Sequence, residues 1–310
     1  MCRIWEDKGG VSIKREPCVH MENKRMRICV LPYDGGRIVS LYDKKYGFEQ
    51  IWTNQRTQNL TRYYAANYDD LSASGIEEAF PTVQPCVYEG VELPFFGEVW
   101  SAPWEYELLT FGHAVAIRLW CSSSVFPAKI TKTFMLEQDS TTLTTEYIVE
   151  NIGPGAFPYI FGVHPSVCIT EDTQILVPQG RYKTGFLYPP SLTQEKTFDW
   201  PCLEKMDLSH AYTFSNNLCV NFYTESVQQG SYGFFHKSRG CGMEIRFSPE
   251  DFPCLSLWLI YGGWRGHYCV MSEAFTCWPA VLTEAIKLKM HQTLQPSRKK
   301  TYVVYYDLLG

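Results

Sequence analysis

Polar and apolar residues alternate along several segments of the chain. The alternation is clearest at residues 142–149 (Thr-Leu-Thr-Thr-Glu-Tyr-Ile-Val), 242–247 and 301–306. Because neighbouring side chains of a β-strand point to opposite faces of a sheet, this pattern predicts strands with one buried face. Helical periodicity is confined to residues 279–289, which predict a short helix, and to residues 76–80, which predict one helical turn. The pattern as a whole predicts a sheet protein with few helices.

Turn-forming residues separate the alternating segments. Examples are Asp34-Gly35-Gly36, residues 151–155 (Asn-Ile-Gly-Pro-Gly) and Gly262-Gly263. An alternating strand and helix plan would need helices of about 10 to 15 residues between the strands, and the sequence contains no such pattern. We therefore expect an all-β fold, an antiparallel sandwich or barrel with many strands. No linker, repeat or low-complexity tract divides the chain, so one domain is expected over residues 1–310.

Composition and charge support the all-β prediction and argue against two classes of binding partner. Of the 310 residues, 45% are hydrophobic and 15% are aromatic, and large aromatic side chains favour sheets. The formal charge of −5 and the lack of a long basic run argue against a nucleic-acid partner. No window approaches the roughly 18 apolar residues of a membrane-spanning helix, and the first residues lack the apolar core of a signal peptide. The sequence predicts a cytoplasmic protein without a membrane partner.

The sequence contains 12 cysteines but no Cys-x-x-Cys pair. The closest two, Cys269 and Cys277, flank a predicted loop, so we expect buried, reduced thiols and no metal site. The common motifs for nucleotide binding and serine hydrolysis, such as Gly-x-Gly-x-x-Gly and Gly-x-Ser-x-Gly, do not occur. The chemistry that remains is acid–base catalysis by histidine and carboxylate side chains.

Two residues are the main candidates for such chemistry. His164 follows an apolar stretch, and Pro165 restricts it to extended geometry, so its imidazole is expected at a strand end. Glu273 lies in the apolar run 269–275, where an isolated carboxylate must be paired, protonated or functional. The competing interpretations are a buried structural histidine and a glutamate that hydrogen-bonds to turn backbone.

Carboxylates and aromatic residues are also combined in two short segments. These are residues 77–81 (Glu-Glu-Ala-Phe-Pro) and 97–105 (Gly-Glu-Val-Trp-Ser-Ala-Pro-Trp-Glu). Carboxylates accept hydrogen bonds from vicinal hydroxyls, and flat indole rings cover apolar C–H faces, so the combination suits a sugar. The alternative is a sheet rim with core tryptophans.

Five sequence pieces occur together in an order typical of one family. They are residues 74–82, 97–104, 162–165 (Gly-Val-His-Pro), 252–258 and 272–279. On these pieces the chain resembles, over nearly its whole length, the aldose 1-epimerase (galactose mutarotase-like) superfamily, in its branch of uncharacterised bacterial proteins. The resemblance implies a large antiparallel β-supersandwich with a sugar bound in an open cleft across one sheet.

The resemblance also implies an activity. It implies an isomerase that interconverts the α and β anomers of a sugar by acid–base ring opening and closure, with His164 as general acid on the ring oxygen and Glu273 as general base on the anomeric hydroxyl. Neither cofactor nor metal is required. The expected partner is a monosaccharide or sugar derivative, and a neutral sugar is preferred because Lys and Arg are dispersed. A monomer or loose homodimer is the default expectation.

Further residues are expected to contact the sugar. They are Arg62, Glu78, Glu98, Trp100, Trp264 and His267. The chain departs from many relatives at Phe96, which stands before Gly97-Glu98 where those relatives have a second histidine.

Two other functions stay open at the level of sequence. The first is a non-catalytic carbohydrate-binding module, suggested by Phe96. The second is a sugar lyase or hydrolase, because a fold does not fix a function. Glycoside hydrolysis would need two carboxylates about 5–9.5 Å apart, so Glu273 would require Glu78 or Glu98 as its partner.

Overall fold

The structure is a computed structural model that describes residues 1–7, 17–57, 60–71, 74–192 and 196–310. Its strands are, in chain order, β1 Arg3–Asp7, β2 Cys18–Glu22, β3 Met26–Leu31, β4 Arg37–Asp43, β5 Phe48–Glu49, β6 Ile76–Ala79, β7 Cys86–Tyr88, β8 Val91–Leu93, β9 Glu105–Phe111, β10 Ala114–Ser122, β11 Ala128–Glu137, β12 Thr142–Asn151, β13 Phe157–Tyr159, β14 Gly162–Val167, β15 Thr173–Leu176, β16 Arg181–Tyr188, β17 Thr197–Asp199, β18 Cys202–Leu203, β19 Met206–Asp207, β20 Leu218–Thr224, β21 Ser231–His236, β22 Cys241–Phe247, β23 Cys254–Tyr261, β24 Tyr268–Phe275, β25 Gln292–Leu294 and β26 Lys299–Leu309. The α-helices are α1 Tyr68–Leu71 and α2 Leu282–Leu288. Neither helix, in the part of the chain that the structure describes, is long and apolar enough to span a membrane.

Two large antiparallel sheets carry the core. The first has 12 strands in the order β1-β2-β3-β4-β6-β14-β24-β23-β20-β16-β17, with β5 paired to β4. The second has 8 strands in the order β15-β21-β22-β26-β12-β11-β10-β9. Two-stranded ribbons complete the sheet structure of the described residues. The expected all-β antiparallel class is confirmed.

The three alternating segments all lie in strands of the second sheet, namely β12, β22 and β26. In β12, for example, Leu143 and Tyr147 are fully buried whereas the intervening Glu146 is exposed. One face of each strand therefore packs into the core, as the period of two predicts. The predicted short helix in residues 279–289 is also present, as α2.

The helical turn predicted for residues 76–80 is wrong. Residues Ile76–Ala79 form β6, which lies between β4 and β14 in the first sheet. All four residues are buried. A strand that is covered on both faces loses the alternation that identifies it in a sequence, so a local pattern cannot distinguish it from a short helix.

Because β6 is buried on both faces, its two adjacent carboxylates enter different parts of the interior. Glu78 lies between the two sheets and forms an ion pair with Lys132 of β11, and both side chains are completely buried. The Lys132 ammonium also donates to the Gly35 carbonyl at 3.0 Å and lies 4.2 Å from the centre of the Trp104 ring. Burial raises the pKa of Glu78, and the charge of Lys132 opposes this shift. The pair therefore connects the sheets through their shared core.

We expect Lys132→Met to destabilise the protein by about 3–5 kcal/mol, because it leaves Glu78 without the cation that compensates its burial. The free energy of unfolding, measured by urea denaturation at neutral pH, tests this. The double variant Glu78→Gln/Lys132→Met removes the buried charge and should recover a large part of the loss. An unchanged unfolding free energy in Lys132→Met would contradict this role of the pair.

Candidate functional site

Four polar side chains form a row across the first sheet, on the face turned away from the second sheet. Glu77 of β6 lies opposite His164 of β14, and Ser256 of β23 lies opposite Glu273 of β24. The ladder between β14 and β24 is interrupted at His164 and Pro165, but the register on either side places Glu273 across from His164. Because proline has no N–H to donate, this interruption follows from the His-Pro sequence. The row thus joins the two principal candidates of the sequence.

His164 and Glu273 form a close pair at the centre of this row. His164 Nε2 lies 3.5 Å from Glu273 Oε1, and 3% of the His164 side chain and 13% of the Glu273 side chain are exposed. Burial raises the pKa of Glu273 to about 7, against a hydrogen bond from Ser256. Burial also lowers the pKa of His164 to about 4, against the negative charge of Glu77. Below about pH 7 the pair therefore favours its uncharged form, a protonated Glu273 carboxyl beside a neutral His164 imidazole.

Hydrogen bonds behind His164 fix its tautomer. The Tyr68 hydroxyl donates to Glu77 Oε2 at 2.9 Å and lies 3.1 Å from His164 Nδ1. A hydroxyl has one proton to donate, so His164 must donate its own Nδ1–H to the Tyr68 oxygen. We infer from this network that Nε2 carries the lone pair that faces Glu273.

Buried arginines hold the carboxylate at the far end of this network. Arg62 Nη1 donates to Glu77 Oε1 at 2.7 Å, and Arg62 Nε lies 3.4 Å from Asp34 Oδ1. Arg37 in turn donates to Asp34 Oδ2 at 2.7 Å. Arg62 is thus buried behind the pocket, which corrects the expectation that it contacts the sugar directly. Its guanidinium instead compensates the buried charge of Glu77.

Phe96 forms the apolar cover of this network. Its ring stacks on Tyr68 with centroids 4.3 Å apart and meets the His164 ring edge to face at 4.9 Å. Phe96 has a positive φ of 61°, and Gly97 follows with a φ of 70°. A Cβ on Gly97 would lie 1.9 Å from the Phe80 carbonyl oxygen, so only glycine fits there. This tight turn holds Phe96 against His164 and strengthens the desolvation of the imidazole.

The pair opens into a small pocket of about 190 Å³. Its walls are mainly aromatic or apolar, and four polar side chains are placed among them. The lining residues are Tyr68, Asp69, Gln84, Phe95, Phe96, His164, Trp258, Trp264, Met271 and Glu273. A larger groove of about 640 Å³ adjoins the pocket and shares Tyr68, Asp69 and Phe95 with it. Aromatic walls with a few convergent polar groups are typical of small-ligand sites.

Some of these lining residues were not identified from the sequence. Asp69 is in helix α1, and Gln84 is in the loop after β6. Trp258 belongs to one of the five pieces that carry the family resemblance, residues 252–258, but the sequence does not predict a role for it. Asp69 and Gln84 reach the pocket from a helix and a loop outside the sheet, and Trp258 reaches it from β23. No local periodicity of the sequence predicts that these three residues meet.

The six predicted sugar contacts have different positions. Trp264 lines the pocket, whereas Arg62 lies behind it and Glu78 lies between the sheets. The expectation that Glu78 faces the sugar is therefore wrong, because consecutive residues of a strand point to opposite faces. Glu77, its neighbour, is the carboxylate on the face of the site.

Glu98 is also directed away from the pocket. Its carboxylate accepts hydrogen bonds from the Ser123 hydroxyl and from the Ser124 backbone N–H, the latter at 2.7 Å. These bonds attach the segment after Phe96 to the connection between β10 and β11. The predicted sugar contact is corrected to a structural role. Neither Glu78 nor Glu98 therefore accompanies Glu273 as the second carboxylate that glycoside hydrolysis would need.

The last two predicted contacts each pack against a residue that lines the pocket. Trp100 is buried, meets Tyr68 edge to face at 5.1 Å and has the Arg62 guanidinium 5.6 Å from its ring centre. His267 is buried against Trp264, with ring centroids 5.3 Å apart, and its Nδ1 accepts a hydrogen bond from Arg56 at 2.8 Å. Neither residue lines the pocket itself: Trp100 packs against Tyr68, and His267 lines a neighbouring groove that shares Asp69 with the pocket. The structure thus places Trp100 behind the pocket, and the contact of His267 with a sugar stays a prediction.

Comparison with known proteins identifies the family and the fold of the chain. A family model described as a domain of unknown function (DUF5107) matches residues 11–272. No curated protein matches the chain.

Solved structures with the same fold cover nearly the whole chain. A candidate aldose 1-epimerase from Klebsiella pneumoniae is 15% identical with a TM-score of 0.77, over 100% of this chain and 92% of its own. A galactose mutarotase-like protein from Clostridium acetobutylicum is 14% identical with a TM-score of 0.70, over 99% and 98%. One from Lactobacillus casei is 16% identical with a TM-score of 0.65, over 94% and 99%. At these identities the similarity shows the fold, which is galactose mutarotase-like as the sequence resemblance implied.

We expect the His164 imidazole to be neutral at pH 6 with its proton on Nδ1. Burial lowers its pKa to about 4, and the Tyr68 oxygen accepts the Nδ1–H bond. Long-range ¹⁵N–¹H NMR correlations distinguish the two tautomers and the imidazolium, and the variant His164→Gln assigns the signals. A His164 ring protonated at pH 6, or protonated on Nε2, would contradict the network.

Proposed function

The chain belongs to the DUF5107 family, and we propose that this protein is a sugar isomerase that interconverts the α and β anomers of a free aldose or aldose derivative. The observation that carries the proposal is the His164–Glu273 pair. Its two proton-transfer atoms lie 3.5 Å apart at one end of an aromatic pocket, and they can act on the two oxygens of one hemiacetal.

The proposed reaction begins with ring opening. The step starts from the ion-pair form, in which Glu273 is a carboxylate and His164 Nε2 carries the proton. From this form Glu273 removes the proton from the anomeric hydroxyl while His164 delivers its Nε2 proton to the ring oxygen. The bond between C1 and the ring oxygen breaks, its electron pair stays on the ring oxygen, and C1 becomes an aldehyde carbon. One proton passes from the sugar to Glu273 and one from His164 to the sugar, and no electrons are gained or lost, so the step requires no redox partner. Each correctly placed acid or base contributes about 10²–10⁴-fold to the rate.

Ring closure reverses these transfers on the other face of the aldehyde. Rotation about the C1–C2 bond presents the opposite face to the C5 hydroxyl. His164 then takes the proton from this hydroxyl as its oxygen attacks C1, and Glu273 returns a proton to the aldehyde oxygen. Each residue recovers its starting protonation state, so the pair is ready for a further turnover.

The protein environment supports the two protonation states that this cycle requires. The active pair carries one proton, which is either on the Glu273 carboxyl or, as an ion pair, on the His164 imidazole. Burial favours the first tautomer. Glu77 favours the second, because its negative charge lies behind the imidazole and acts through the Tyr68 hydroxyl. A balance between opposing effects lowers the barrier to moving the proton across the pair.

The pocket walls suit a neutral sugar. Trp258, Trp264 and Phe95 offer flat apolar surfaces for sugar C–H groups, and Gln84 and Asp69 offer hydrogen-bonding groups for hydroxyls. Burial raises the pKa of Asp69, and the charge of Arg265 opposes this shift.

We expect His164→Ala and Glu273→Gln each to lower the rate of anomer exchange by about 10²–10⁴-fold, because each removes one of the two proton-transfer groups. NMR exchange spectroscopy of the anomeric protons, across a panel of aldoses and 6-phospho-aldoses, measures the rate. His210→Ala and Glu150→Gln make the same changes outside the pocket and should leave it unchanged.

The panel also tests the competing function. Saturable sugar binding without faster exchange in the wild-type protein would overturn the isomerase and identify a carbohydrate-binding module. Faster exchange that survives both substitutions would show that the pair is not the catalytic group.

The pH dependence of kcat/KM should be bell-shaped. Above about pH 7 Glu273 loses the single proton that the active pair carries, and below about pH 4 His164 gains a second one. Activity should therefore rise through about pH 4, be highest between the two values and fall through about pH 7. Exchange rates measured at each pH, after subtraction of the rate without protein, test this. A rate that keeps rising from pH 7 to pH 9 would contradict it.

A further inference from the structure

A second group of reactive side chains lies in the first sheet, at strands β2 and β3. Cys18, His20 and Cys29 each present a metal-ligating atom, and these atoms all lie within 4.8 Å of one another. In the sheet order, β3 is separated from β14 by β4 and β6. The group is therefore distinct from the sugar pocket.

The hairpin of β2 and β3 places these three side chains on one face. Cys18 and His20 are two residues apart on β2 and so point to the same side. Cys29 lies directly opposite His20 in the antiparallel register. The register between β3 and β4 shifts between Cys29 and Val30, and such a bulge changes the direction of a side chain locally.

The contacts within the group are shorter than the backbone spacing alone would give. Alternate residues of a strand are separated by about 6.6 Å along its axis. Cys18 Sγ nevertheless lies 3.3 Å from His20 Nε2, so the two side chains lean toward each other. Cys29 Sγ lies within 4.8 Å of both of these atoms. A tetrahedral zinc site has bonds of about 2.0–2.3 Å, which places neighbouring ligand atoms roughly 3.5–3.8 Å apart. The separations here need only a small adjustment.

The surroundings hold the group in place. Cys18 is buried in a small apolar cluster with Leu31 and Val39. The Trp5 ring stacks on the His20 imidazole with centroids 5.1 Å apart and an angle of 19°. Asp7 of β1 lies opposite Cys18 in the register, which adds a carboxylate to the same face.

We propose that Cys18, His20 and Cys29 bind Zn²⁺, with water as the fourth ligand. Two thiolates and one imidazole in a tetrahedral arrangement are the ligand set that zinc prefers. The ion would tie β2 to β3 and stabilise this end of the sheet, because a metal that binds the folded state shifts the folding equilibrium toward it. The sequence predicted no metal here, since the third ligand is on the neighbouring strand and not in a short knuckle.

Titration of the full-length protein with Co²⁺, under a reductant that does not bind metal, tests the proposal. We expect one equivalent to bind with the thiolate-to-cobalt absorption and the visible bands of a tetrahedral site, and Zn²⁺ to displace it. Cys18→Ser, Cys29→Ser and His20→Gln should each weaken Zn²⁺ binding by about 100-fold or more, since even outer-shell changes cost about 10–100-fold.

Cysteines outside the group provide the matched control. Cys168→Ser and Cys202→Ser should leave the cobalt spectrum unchanged, and circular dichroism of each metal-free variant checks that it folds. X-ray absorption of the zinc-loaded wild-type protein counts two sulfur ligands without any substitution. A cobalt spectrum without thiolate absorption, or one that persists in the double variant Cys18→Ser/Cys29→Ser, would overturn the proposal.

Discussion

Strand β6 carries two adjacent carboxylates into the interior, and both charges must be compensated by buried cations from other parts of the chain. An uncompensated buried carboxylate is too costly to keep, so each requires its own cation. Glu78 points toward the second sheet and pairs with Lys132 of β11. Glu77 points to the opposite face and pairs with Arg62. On one face, β6 therefore contributes an ion pair that joins the two sheets. On the other face, it contributes the ion pair that lies behind the candidate site.

The second of these pairs determines the state of the candidate catalytic histidine. Because Arg62 holds Glu77 in place, Glu77 can accept a hydrogen bond from the Tyr68 hydroxyl, and the Tyr68 oxygen can then accept one from His164. The imidazole is left with a lone pair directed at Glu273. The Arg62–Glu77 ion pair thus acts through Tyr68 on His164: it fixes the tautomer of the imidazole and, with it, the atom that faces Glu273.

The sequence predicts the fold class and the central pair, but not how the other polar residues are distributed. His164 and Glu273 were identifiable because Pro165 and an apolar run mark their strands. Glu77 and Glu78 could not be told apart, since a strand buried on both faces has no polar side that marks its register. The sequence around Arg62 and Glu98 does not indicate that either is buried. Only the tertiary structure shows that Arg62 pairs with Glu77 and that Glu98 binds the connection between β10 and β11. Cys18 and Cys29 meet through strand pairing, which a spacing rule for metal knuckles does not include.

The departure at Phe96 can now be interpreted physically. A histidine at this position would add a hydrogen-bonding group beside the substrate, whereas phenylalanine adds an apolar ring that packs on both Tyr68 and His164. The Phe96 ring is one of the groups that bury the imidazole, and this burial favours the neutral form of His164. A neutral imidazole beside a carboxyl whose pKa is raised to about 7 can still pass one proton in either direction. In the proposed isomerase, phenylalanine at this position would therefore affect how the sugar is held more directly than it affects the proton transfer itself.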